Sequence, residues 1–346
     1  SRGWLATTCA GVAVVLLSAA LSPFAGISLR WSAPLLAAPA WFLVAFDWLH
    51  HNPAAHANRS SLLARAGLLA ALAVSVVSIG LWLPVVLQVG LRGAAVSRNA
   101  FPLGHSNYTA GLALLILPLA VSGIWRHRGI WRALAVLTAL LALAMIYSSS
   151  SRGGVLGLAA LAAAGLVLAT LPRKSKTLLA LAALAVGRVF ILGNPRTRAA
   201  FSRSPAAQSL VAASDVQRLA MFTVGYHMGV DRPLLGWGPG TTPLVYPKYR
   251  AVAPGGVENV LQLHSAPVQL WAELGLAGLA GLFVAVALVF QARHRAPLAV
   301  ITCAGYGAFA LTDWQIDIPI FAFAVAMLAA LLAPVCHPLD DKLTRA

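Results

Sequence analysis

Apolar runs long enough to cross a bilayer follow one another along almost the whole chain of 346 residues. Runs of about 18 or more apolar residues read as transmembrane helices. They fall near 4–22, 32–49, 62–83, 106–125, 130–147, 154–172, 177–192, 267–291, 296–312 and 316–335. Hydrophobic residues make up 60% of the chain and charged residues 10%. A soluble domain usually carries about 25% charge. The expected fold is an all-α polytopic membrane protein of about 10–12 helices, given two short or irregular runs. The chain begins at Ser1 without Met, directly before an apolar run too long for a cleaved signal peptide. The reading therefore expects the natural N-terminus to lie further upstream.

One interval breaks the pattern. Between Phe190 and His264 the chain is polar and rich in arginine. Arg196, Arg198, Arg203, Arg218, Arg232, Lys248 and Arg250, with Arg188 just before, face only Asp215, Asp231 and Glu258. The organisation expected is one integrated membrane domain: helices over 1–192, a large loop over 193–263, and helices over 264–346. A second excursion spans 91–107.

Short loops set orientation through the positive-inside rule. The compact basic turns around Arg126, Arg128 and Arg132, around Arg173, Lys174 and Lys176, and at Arg293 and Arg295 fall on one side when the spans alternate. The tail with Lys342 and Arg345 joins them. That side is read as cytoplasmic, and the arginine-rich loop, Arg92, Arg98, 148–154 and 312–317 as external. The net charge of +16 is largely topogenic, so it does not argue for a nucleic-acid partner. The external positive charge calls for an anionic client. Cys9, Cys303 and Cys336 lack ligand or redox spacing and read as free thiols.

Within the loop, Ser214-Asp-Val-Gln217 has the form of a capping box. It predicts a helix over about 215–229, with Val216, Leu219, Thr223, Tyr226 and Val230 on one face, suited to lying on the membrane or across the bundle. A rigid turn, Gly236-Trp-Gly-Pro-Gly240, follows. The chain re-enters at 264–267, where Ser265 or His264 caps the next helix and Pro267 sits in its first turn.

Several polar residues gather at the external mouth. Arg152 follows Tyr147 and four serines, and Gly153-Gly154 opens the next span. Arginine in a bilayer costs about 2.5–3.5 kcal/mol on insertion scales. It either snorkels to the interface or helps a helix N-terminus bind an anion, with the glycines permitting close approach. Arg218, in the first turn of the predicted loop helix, opposes the macrodipole. A bound anion or a local pair with Asp215 would relieve this. His264 is either structural or a base, with His105 and His227 as competitors on the same side. Gln269 and Glu273 share a helix face, and Glu273 reads as the structural partner of an arginine. Asp313 and Asp317 bracket the last external turn, where rim solvation accounts for them. The sequence has no outer Asp-x-Asp pair, two-His spacing, P-loop or Gly-x-Ser-x-Gly elbow, so no metal and no cofactor are expected. A transporter would carry polar groups midway along several broken spans; here they cluster at one mouth.

These elements together resemble the O-antigen ligase/polymerase family of bacterial inner-membrane glycosyltransferases. The matching stretches are Ser150-Ser-Arg152-Gly-Gly154, Arg-Pro-Leu-Leu-Gly-Trp-Gly-Pro-Gly at 232–240, His-Ser-Ala-Pro-Val-Gln-Leu-Trp-Ala-Glu-Leu-Gly-Leu-Ala-Gly at 264–278, and Gly104-His-Ser-Asn107. Ser265 departs from the Asn that commonly follows the histidine. The resemblance implies a GT-C-like membrane fold in the bacterial inner membrane with its active site facing the periplasm. It implies transfer of a glycan from undecaprenyl diphosphate to a sugar hydroxyl of lipid A–core, or extension of the glycan by a polymerase. A lipid or anion transporter is the reading from another class. Arg152, Arg218 and His264 would be catalytic, with Arg203, Tyr147, Gly153 and Asn107 binding the diphosphate and glycan. Asp215, Gln269, Glu273 and Trp237 would support them. The absence of a carboxylate pair on the outer face predicts single displacement with inversion.

Overall fold

The computed structural model describes residues 2–168, 172–200, 202, 204–253, 255 and 259–333. Arg203, Glu258, Cys336, Lys342 and Arg345 lie outside the described residues. Those described form an all-helical membrane bundle: α1 (Arg2–Ala20), α2 (Ala25–His50), α3 (His56–Ser97), α4 (Ser106–Arg126), α5 (Gly129–Ser149), α6 (Arg152–Leu168), α7 (Arg173–Gly193), α8 (Pro195–Ala200), α9 (Pro205–Asp231), α10 (Thr242–Val245), α11 (Ala266–Gln291), α12 (Pro297–Ala310) and α13 (Pro319–Leu332). Seven of these helices are long and apolar enough to cross a membrane: α1 to α5, α7 and α11. The shorter apolar helices α6, α12 and α13 complete the set at the predicted intervals. Leu87, Val167, Leu184 and Phe283 are exposed, as side chains bordering lipid would be.

The core centres on α4. Ala113, Leu114, Ile116 and Leu117 are buried with Met145 and Ile146 of α5, Leu161 of α6, Phe309 of α12 and Phe321 of α13. Glycines bring α6 and α12 together. A Cβ on Gly157 would lie 2.5 Å from Leu114 Cδ1 and 2.9 Å from the Gly305 carbonyl oxygen. Small residues let membrane helices approach closely, and packing rather than hydrophobic transfer holds them together.

Three sequence expectations are corrected. Helix α3 runs on past 83 through Gly90, whose φ of 72° bends it, and reaches Ser97. The excursion at 91–107 therefore shrinks to the short connection between α3 and α4. The loop helix starts at Pro205 rather than near 215. Ser204 is the N-cap residue and Pro205 stands in the first turn, where its missing N–H costs nothing. Ser214 is then interior and forms no capping box, and Arg218 lies mid-helix, where the macrodipole has little effect. The predicted face of α9 is exposed at Val216, Leu219, Tyr226 and Val230, while Ala220, Met221, Val224 and Met228 bury against Tyr246, Tyr249 and Leu263.

The third correction concerns α11 and Glu273. The helix is broken at Gly275, with φ 63° and ψ −152°. Segment 233–238 fills the break through backbone hydrogen bonds. Leu276 N–H donates to Pro233 O at 2.7 Å, Trp237 N–H to Ala272 O at 3.0 Å and Gly238 N–H to Glu273 O at 2.9 Å. Irregular backbone at membrane depth persists only where protein satisfies it. Glu273 is buried, but its partner is not an arginine. It accepts from Gly240 N–H at 3.0 Å, Thr242 N–H at 3.2 Å and the Thr242 hydroxyl at 2.7 Å. Gln269 donates to the same hydroxyl at 2.9 Å, on the face shared with Glu273.

Candidate active site

The connections α3–α4, α5–α6 and α12–α13, the start of α11 and the middle of α9 meet at one end of the bundle. The serines at 148–151 bring the first two together. All four are buried. Asn99 N–H donates to Ser148 O at 2.8 Å, Ser150 Oγ to Ala95 O at 2.5 Å, and Arg98 Nε to Ser149 O at 3.1 Å. Arg152 follows as the first residue of α6, so its guanidinium leaves a rigid turn.

Arg152 pairs with Asp215 of α9 through both guanidinium arms, with Nη1 to Oδ2 at 3.0 Å and Nη2 to Oδ1. Asp215 thus pairs with Arg152 across the bundle rather than with its near neighbour Arg218. The Arg152 hydrogen bond holds the Asp215 carboxyl below the usual carboxylate range. Burial, and then the nearby Arg152 charge, lower the Arg218 guanidinium, opposed by Asp313 and Asp215. Two arginines and two carboxylates therefore sense one another here.

His264 opens the re-entry into α11. Its Nδ1 lies 2.5 Å from Asp313 Oδ1. Asp313 is 1% exposed, so the rim-solvation reading is corrected. It lies within the site, where Gln315 Nε2 donates to its second oxygen at 2.8 Å. A carboxylate on Nδ1 keeps the proton there and leaves Nε2 as the basic nitrogen. The His105 ring stacks on His264 with centroids 5.6 Å apart. His105 Nδ1 accepts from Asn107 N–H at 3.3 Å, and burial lowers its pKa from the usual 6.5. Both rings are thus set by fixed hydrogen bonds.

Asn107 is buried and serves as a junction. Its Oδ1 accepts from Arg98 Nη2 at 3.1 Å and Ser151 Oγ at 3.0 Å, and its carbonyl from Gln315 Nε2 at 2.9 Å. It organises the arginine and histidine sides. Gly153 faces α12: a Cβ there would lie 2.1 Å from Thr312 Oγ1. Its lack of a side chain is used in packing. The Tyr147 hydroxyl donates to Gly193 O at 2.8 Å and its ring meets Phe190 edge-on, which ties α5 to α7. Trp237 Nε1 donates to Met228 O at 2.8 Å and anchors the re-entrant segment on α9. Among the described residues no three His, Cys, Asp or Glu side chains gather as a metal-binding set.

Asp313, Gln315 and Arg98 carry no site role in the sequence reading, whereas His105 stands there as a competitor of His264. The one legible signal was the polar pattern Asp313-Trp-Gln-Ile-Asp317 between two apolar spans. Backbone strain marks the same place. Among the described residues, Arg98, Ser150 and His264 are the non-glycine residues with positive φ, at 62°, 51° and 48°. Such conformations cost about 1–3 kcal/mol each and cluster at functional sites.

The class defined here is a polytopic helical membrane protein with an arginine-lined, histidine-bearing site at one end of the bundle. Residues 137–283 match the family model described as O-antigen ligase. Over that segment, less than half of the chain, the protein is similar to the O-antigen ligase family. The matched segment carries Arg152, Asp215, Arg218 and His264, while Arg98, His105 and Asp313 lie outside it. No curated protein matches the chain.

Proposed function

We propose that the protein is an O-antigen ligase of the inner membrane. It would move a glycan from undecaprenyl diphosphate to a sugar hydroxyl of lipid A–core at the periplasmic face. The observation that carries this reading is the convergence of Arg152 and Arg218 with the His264–Asp313 pair. The arginines suit a diphosphate leaving group, and the imidazole suits an acceptor hydroxyl.

The chemistry is a single displacement. The acceptor oxygen attacks the anomeric carbon of the donor as the bond from that carbon to the phosphate oxygen breaks. The electron pair of that bond leaves with the diphosphate. The hydroxyl proton passes to His264 Nε2, while Asp313 stabilises the imidazolium that forms. A positioned base contributes about 10²–10⁴ in rate. Arg152 and Arg218 are fixed charges for the leaving diphosphate, and such preorganised groups need no reorganisation during reaction. Guanidinium also offers the fork that phosphate oxygens fit. The reading is inverting and independent of metal.

The test is transfer in vitro, with EDTA present, using purified protein, undecaprenyl-diphosphate glycan and lipid A–core. A heavier lipid A–core species supports the ligase. Elongated glycan still on the carrier points instead to a polymerase. No new covalent species overturns both and leaves a basic vestibule for transport.

A further inference from the structure

A histidine caps the N-terminus of α4. His105 has the extended backbone of an N-cap residue, with φ −141° and ψ 134°, and its Nδ1 accepts from Asn107 N–H at 3.3 Å. Ser, Thr, Asp and Asn usually fill this position, because a short side-chain oxygen reaches the free N–H groups of the first turn. An imidazole offers what those side chains lack, an aromatic face. Two rings meet it. The His264 ring stacks on His105 with centroids 5.6 Å apart and planes inclined by 24°. The Tyr108 ring lies 5.0 Å away, tilted by 53°.

His264 needs such a neighbour. Its backbone φ of 48° is one that a non-glycine residue keeps only where its surroundings hold it. The Asp313 contact fixes one ring atom, Nδ1. A contact at one atom leaves the plane of the imidazole free to turn, and with it the direction of Nε2. The stacked His105 ring removes that freedom. Asp313 and His105 act from different elements, the α12–α13 connection and the head of α4. Together they set both the anchored atom and the plane.

The His105 ring also suits a neighbour that takes up charge. Asn107 N–H occupies Nδ1, so neutral His105 carries its proton on Nε2. A proton on Nδ1 would set one N–H against another. Burial lowers the His105 pKa; Asp313 opposes this, and His264, Arg98 and Arg218 reinforce it. An uncharged ring beside His264 does not repel the imidazolium that forms there, whereas a second cation would.

We infer that His105 is a positioning residue for the reaction: its ring, anchored on the N-terminus of α4, sets the plane of the His264 imidazole and so the direction in which Nε2 meets the acceptor hydroxyl. This inference rests on the reading of His264 as the base. It gives His105, which lies outside the family-matched segment, a part in the rate that helix capping alone would not.

Two variants separate the ring from the cap. His105→Asn keeps a capping side chain and removes the ring. His105→Phe keeps a ring and removes the cap. Transfer kinetics and the thermal midpoint are measured for both in the full chain, beside wild type and His264→Ala, with undecaprenyl-diphosphate glycan and lipid A–core. In His105→Asn the midpoint should stay near that of wild type while kcat falls about 10- to 100-fold, as for a reacting group turned out of line. Donor and acceptor KM should stay within about twofold, since neither binding contact is removed. In His105→Phe the midpoint should fall with the lost cap, while kcat stays within about fivefold of wild type. If the phenylalanine variant does not fold, His105→Asn carries the test through its kcat and midpoint together. A wild-type kcat in His105→Asn would make His105 a helix cap only and overturn the inference. Equal losses of kcat in both folded variants would overturn it too, since the ring would then make no difference. Transfer by His264→Ala at the wild-type rate, or a wild type without transfer, would instead overturn the reading beneath it.

Discussion

Asp215 reaches across 63 positions of sequence to bind both arms of the Arg152 guanidinium. The pair ties α9 to the start of α6, and it also places a carboxylate where a donor phosphate would bind. Donor entry must therefore displace or share Asp215. In Asp215→Asn the competing charge is gone. The exposed half of this pair is screened, so the gain is about 1 kcal/mol, or fivefold tighter undecaprenyl diphosphate. Binding measured by competition should show this, together with faster amide exchange in α9. Weaker lipid binding would mean that Asp215 supports the anion site rather than occupying it.

The His264–Asp313 contact makes a second prediction. Asp313→Asn keeps the shape but loses the carboxylate that fixes the imidazole tautomer. Transfer should fall by about 10²–10⁴, with donor binding nearly unchanged. Single-turnover rates and the donor Kd, measured on the same preparation, separate the two effects. An unaltered rate would leave Asp313 without a role in the chemistry.

Glu273 tests the scaffold. Its two oxygens take three hydrogen bonds from the segment 240–242. Glu273→Gln turns a donor against donors, and an unmatched buried polar group costs about 1–3 kcal/mol. The thermal midpoint should fall and the re-entrant segment should become open to protease. A midpoint equal to wild type would show that backbone bonds alone hold that segment.

Asp317 gives a pH dependence of known sign. Burial raises its pKa above 3.8. The folded state therefore binds a proton more readily than the unfolded chain, and ionised Asp317 costs stability as pH rises through the raised value. Asp317→Asn removes this cost. Its thermal midpoint should exceed that of wild type at pH 8, and the difference should shrink as pH falls toward 4. A difference independent of pH would assign the effect to packing.

Arg152 separates charge from geometry. Arg152→Lys keeps the charge but loses the two-armed contact, so transfer should fall by at least about tenfold. A rate near wild type would show that a point charge suffices.

The spans were legible because hydropathy alone marks them, and the ten predicted intervals hold ten apolar helices. Arg152 and His264 stood out because a polar group beside an apolar run is conspicuous. The start of α9 was misread because Ser214 has the form of a cap, while Ser204 and Pro205 had already started the helix. Glu273 was given the wrong partner because backbone N–H groups of a distant loop leave no mark in the side-chain pattern. Asp313 was assigned to the rim for the opposite reason. Its position at a helix end looks exposed in one dimension, but in the fold it is buried and held by His264 at the entry to α11 and by Gln315.

The most direct test of the central claim is glycan transfer by His264→Ala, beside wild type of equal thermal stability, with undecaprenyl-diphosphate glycan and lipid A–core. The predicted result is loss of the lipid A–core product while undecaprenyl diphosphate still binds. Transfer at the wild-type rate would contradict the assignment of His264 as the base and, with it, the reading of this end of the bundle as the catalytic site.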